Sequence, residues 1–61
     1  MRKYIVLHES IGNTPVIVFV DAITIIKANE NNSTDVLTPN WGQTVRESMG
    51  EVMKKLKEVQ E

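Results

Sequence analysis

The sequence predicts an α+β domain: a small antiparallel sheet of four to five strands, barrel-like or open, followed by one C-terminal helix. Three observations carry this. Short runs rich in β-branched and aromatic residues are separated by Gly, Pro and Asn, the pattern of strands and turns. From Ser48 onward the apolar period lengthens to that of a helix. The chain has 61 residues, enough for a single domain over 1–61 and no second.

The first strand is Tyr4–His8, and Gly12-Asn13 before Thr14-Pro15 supplies the positive φ of a tight hairpin turn. The second strand covers residues 15–20. Pro15 fits at its first position because proline has no N–H to give to a ladder. Asp21 offers a turn or a single 3₁₀ turn through Ala22, and residues 23–28 form a third strand. Asn29-Glu30-Asn31-Asn32 is the next turn, Thr34–Thr38 the fourth strand, Pro39-Asn40-Trp41-Gly42 a closing turn and residues 43–46 a short fifth strand. Met49, Val52, Met53, Leu56 and Val59 then mark one stripe of a helix, N-capped by Ser48 with Glu51 completing a reciprocal capping box. Glu51 with Lys55, Lys54 with Glu58 and Lys57 with Glu61 stand at i, i+4 on the outer face. Gly50 is the one residue at odds with the helix, serving either a close backbone approach or no purpose.

One helix covers one face of a small sheet, so the other face of a simple monomer should be polar. Here it is not. Val16, Val18 and Val20 oppose Ile17 and Phe19, Tyr4 and Val6 oppose Ile5 and Leu7, and Ile23 and Ile25 oppose Ile26 and Ala28. Each aliphatic side chain left wet forgoes roughly 1.5–3 kcal/mol. Either the sheet curls into a barrel capped by the helix, or it packs on another copy. So short a chain leaves little inner volume for a barrel, which favours a homo-oligomer.

Composition narrows the chemistry. There is no cysteine and one histidine, so no disulfide, metal centre or cofactor is expected. Seven Lys and Arg against eight Asp and Glu give a net charge of -1, which disfavours general phosphate-backbone binding. The longest apolar run, residues 16–20, is far short of the roughly 20 needed to span a bilayer. The apolar run after Met1-Arg2-Lys3 stops at His8-Glu9, too early for a signal peptide, so a cytoplasmic protein without a membrane partner is expected. Asn31-Asn32-Ser33 and Asn32-Ser33-Thr34 match the glycosylation pattern but read as turn residues.

His8 beside Glu9 has the chemistry of a proton shuttle, but no nucleophile motif accompanies it and a surface role is expected. Asp21, Asp35, Glu9 and Glu30 fall on separate turns and strands, and Gly12 and Gly42 make no phosphate-cradling loop. No catalytic residue is assigned, and no enzyme is expected. The candidate binding or interface residues are Trp41, Tyr4, Val16, Val18 and Phe19. A tryptophan in a turn either folds onto the core or stands out as an anchor. Lys54, Lys55 and Lys57 with Arg2 and Lys3 would supply a basic patch for nucleic acid, diluted by the interleaved glutamates.

Leu7, Gly12, Val18, Asp21, Ile23, Ile26, Leu37, Gly42, Val45, Glu47, Ser48, Glu51 and Val52 form a pattern over nearly the whole chain. It resembles that of the small flagellar and swarming-motility proteins of the FlbD type, and phage chains of this size look similar. The pattern departs at Pro39-Asn40-Trp41, which enlarges the turn before Gly42, and at the short stretch after it. The resemblance implies an interaction protein of bacterial or phage character and carries over no active-site residue. The expected function is therefore a non-enzymatic, self-associating module that binds an unidentified protein partner. The alternative is a nucleic-acid, nucleotide or small-ligand binder that stacks on Trp41 or Tyr4, captures a ligand between subunits or blocks a host factor.

Overall fold

In the computed structural model, which describes residues 2–60, five strands and one C-terminal helix form an α+β fold with two antiparallel sheets. β1 (Tyr4–His8) and β2 (Pro15–Phe19) make the first, in register from Tyr4 opposite Phe19 to His8 opposite Pro15. Gly12 and Asn13 turn the chain with φ of 85° and 56°, a left-handed pair that glycine and asparagine tolerate best. Pro15 opens β2 as expected.

The second sheet has the order β3 (Ile25–Ala28), β4 (Thr34–Thr38), β5 (Trp41–Val45). A 3₁₀ turn, Val20–Ala22, leads out of β2 and takes Val20 from the strand predicted to hold it, although the Val20 N–H still reaches the Lys3 carbonyl at 3.0 Å. The third strand starts at Ile25 and not Ile23, because the Ile23 N–H is drawn back to the Val20 carbonyl. At the β3–β4 turn Asn32 takes φ of 67°, and Asn31 Oδ1 accepts from the Ser33 N–H and hydroxyl.

β5 is longer than predicted and begins two residues earlier. Trp41 and Gly42, expected in a turn, pair with Thr38 and Leu37, leaving Pro39-Asn40 as the connection. Gly42 is useful there: a Cβ at that position would lie 3.0 Å from Leu37 Cδ2, so the leucine side chain can rest across it. At its far end β5 meets β1. Glu9 bridges to Val45, the Ser10 N–H bonds the Thr44 carbonyl and the Arg46 N–H bonds the His8 carbonyl. This seam joins the two sheets, but they do not close into a barrel.

The helix α1 (Met49–Gln60) begins with the predicted capping box: the Glu51 N–H donates to Ser48 Oγ at 3.2 Å and the Ser48 N–H to Glu51 Oε1 at 3.1 Å. Its Val52 is buried with Ile5, Leu7, Val18, Val36 and Val45, and Leu56 and Val59 pack around that core. Met53 departs from the expected stripe and lies at the exposed rim. The predicted pairs Glu51–Lys55 and Lys54–Glu58 do not close among the described residues, while Glu61, the partner expected for Lys57, lies outside them. No helix among the described residues is long and apolar enough to cross a membrane.

Candidate functional site

Alternation along β1 and β2 gives the hairpin two unlike faces. Ile5, Leu7 and Val18 turn into the core, with Val16 half-buried beside them. Tyr4, Val6, Ile17 and Phe19 turn out, at 50%, 37%, 62% and 37% exposure. Register places them as two cross-strand pairs, Tyr4 opposite Phe19 and Val6 opposite Ile17. The rings of Tyr4 and Phe19 meet edge to face with centroids 6.4 Å apart. On Phe19 lies the Arg2 guanidinium, 4.0 Å from the ring centroid, and Arg2 also bonds Asp21 at 2.8 Å. The outer surface of the hairpin is thus an ordered apolar patch.

Beside it runs an open groove of about 430 Å³ lined by Val16, Ile17, Val18, Phe19, Ala22, Thr38 and Trp41. Its lining includes consecutive residues 16–19 of β2, so it follows the edge of the strand away from β1. That edge has free backbone groups. Bonds from Val20 N–H to the Lys3 carbonyl and from Glu9 N–H to the Thr14 carbonyl fix the phase of the ladder at its two ends. In an antiparallel pair bonded and non-bonded residues alternate, so Val16 and Val18 face β1 with their polar backbone, while Ile17 and Phe19 face the groove. Neither the Ile17 nor the Phe19 N–H has a partner among the described residues.

Of the sequence candidates, Tyr4 and Phe19 share the outer patch, whereas Val16 and Trp41 line the groove. Val18 is 4% exposed and belongs to the core, because its place in β2 puts it on the same face as Ile5 across the ladder. Trp41 is not in a turn: it is the first residue of β5, 38% exposed, and forms part of the groove wall opposite β2. Ile17 and Val6 belong to the patch too. Their outward alternation was visible in the sequence and is what identifies them.

A second cluster centres on Glu47, the residue before the N-cap Ser48. His8 pairs with Pro15 at a non-bonded position, so its N–H points away from β2 and donates to Glu47 Oε1 at 3.0 Å. Its Nδ1 lies 2.7 Å from Glu47 Oε2. Glu9, the expected neighbour of the imidazole, instead bridges to Val45. Thr34 Oγ1 donates to the Glu47 carbonyl at 2.8 Å. Burial works against the charge of Glu47, but the imidazole and backbone N–H of His8 outweigh it and hold the carboxyl below its usual 4.5. This arrangement locks the end of β1 to the start of α1.

The remaining carboxylates have separate partners. Asp35 Oδ1 accepts from Thr44 Oγ1 at 2.6 Å and Asn29 Nδ2 at 2.9 Å, bonds that hold its carboxyl below the usual range. Asp21 is held low by Arg2. No group of three or more potential metal ligands forms among the described residues. Compared with known proteins, the chain matches no family profile, no curated sequence and no solved structure.

Proposed function

We propose that the protein is a non-enzymatic, self-associating interaction module whose contact surface is the outer face of the β1–β2 hairpin. The observation that supports this most is the run of two cross-strand apolar pairs, Tyr4–Phe19 and Val6–Ile17, which stay 37–62% exposed among the described residues although Lys55, Glu58 and Val59 of α1 lie beside Tyr4 and Val6. Contiguous exposed apolar surface on a small domain marks a contact site. The core supports the same reading, since the six buried hydrophobic residues among those described give so short a chain little stability of its own. Homotypic association adds the missing burial. The resemblance to small motility and phage proteins fits a scaffold of this type, which would act in the cytoplasm on a protein partner.

The groove beside Trp41 favours the alternative of ligand capture, since apolar walls and an aromatic side chain suit a small planar or aliphatic group. Nucleic acid is less well supported, because Arg2 is committed to Asp21 and Phe19. Val6→Lys decides between the readings. It places a charge in the centre of the outer face without touching the groove, so light scattering should show the particle mass falling toward that of one chain. An unchanged mass would remove the outer face from the contact.

A further inference from the structure

We infer that β2 pairs edge to edge with β2 of a second copy, antiparallel, with Ile17 on the two-fold axis; this rests on the self-association just proposed and specifies a contact distinct from the outer face. The edge facing the groove offers the Ile17 N–H and C=O, the Phe19 N–H and the Pro15 C=O. The strand ends at Phe19, because the next residue, Val20, opens the 3₁₀ turn. With the axis on Ile17, each Ile17 N–H meets the other copy's Ile17 carbonyl and each Phe19 N–H meets the other copy's Pro15 carbonyl. All four donors are then satisfied. The one gap in the ladder is the N–H that Pro15 lacks, at the end of the pairing opposite Phe19. An axis on Ile17 pairs all five residues of β2, whereas moving it to Val18 would pair Val16 with Val20, which has left the strand for the 3₁₀ turn.

Charge favours the same occupant. Residues 12–20 carry none, so two copies meet without repulsion, and no lysine guards the edge as it does in many sheets that avoid pairing. Trp41 and Thr38 stand across the groove and receive the incoming strand. Two edges of five residues bury far less than the roughly 1,000 Å² of a stable interface, so the edge contact holds together with the outer-face contact. One pair of chains cannot use both isologous contacts, and the smallest closed assembly that does is a tetramer.

Single-cysteine variants test the register, since the chain has no cysteine of its own. Bonded antiparallel partners have Cα atoms about 5.5 Å apart, within disulfide reach. Ile17→Cys should convert to a covalent dimer on mild oxidation. Phe19→Cys should not, because four residues of strand, roughly 13 Å, separate it from its own copy. Equal linking of both variants overturns the register. An associating protein whose Ile17→Cys fails to link overturns the register alone, whereas a monomeric wild type overturns self-association as well. Ile17→Pro provides a second test, removing a donor that faces the groove while sparing every bond to β1. With the fold confirmed by circular dichroism, association should weaken roughly tenfold to a hundredfold, and unchanged association overturns the inference.

Discussion

His8 and Glu47 are 39 residues apart in sequence and share two hydrogen bonds, from the imidazole and from the backbone N–H of His8 to the two oxygens of one buried carboxylate. Glu47 is 7% exposed. The pair ties the end of β1 to the short segment between β5 and α1. Its role is architectural, holding the β1–β2 hairpin in the orientation that presents Tyr4, Val6, Ile17 and Phe19 outward.

Acid should therefore loosen the protein. The folded-state pKa of Glu47 lies below its ordinary 4.5, so its contribution is complete above that value and fades as pH falls through the lower, folded one. Thermal melts from pH 7 to 3 should show this loss, and Glu47→Gln should flatten it. A wild-type curve no steeper than that of Glu47→Gln would show that the pair contributes nothing. His8→Ala leaves one buried carboxylate oxygen without its partner and should cost about 1–3 kcal/mol in denaturant unfolding at pH 7.

At the helix start, Ser48→Ala removes the acceptor of the Glu51 N–H and should cost about 1 kcal/mol. Denaturant titration should show a lower midpoint with an unchanged slope. A midpoint that does not move would contradict the capping box.

Gly50 gives the opposite sign. A Cβ there meets nothing closer than Ser48 Oγ at 3.9 Å, and the position is exposed, so the glycine serves no close approach. Gly50→Ala should stabilise the protein by about 0.5–1 kcal/mol, raising the melting temperature by a few degrees.

Trp41 separates folding from assembly. Because it is more than a third exposed on the groove wall, Trp41→Ala should cost less than the roughly 3–5 kcal/mol of a fully buried tryptophan and leave a folded chain. Association should weaken. Loss of folding that high protein concentration does not rescue would place Trp41 in the core instead.

Local chemistry made much of the fold legible. Ser48 with Glu51, Gly12 with Asn13, and Pro15 each determine their own surroundings within a few residues, and alternation in residues 4–7 and 16–19 showed that both faces of the hairpin are apolar. Tertiary contact accounts for the remainder. Trp41-Gly42 reads as a turn by composition but is a strand because Leu37 lies across the glycine. The Glu47 bond to His8 has no local signature, since only the seam between β1 and β5 brings the two together. Met53 fits the helical period but is exposed, although Val52 beside it is buried and Leu56 and Val59 further along pack against the core.

The central claim is that this chain covers its outer apolar face with copies of itself. Sedimentation equilibrium of the wild type at tens of micromolar, repeated at high salt, tests it most directly. The expected result is a mass several times that of the 6.9 kDa chain, falling on dilution and undiminished by salt, as apolar contact requires. A mass of 6.9 kDa at every concentration, with no apolar dye bound, would contradict it.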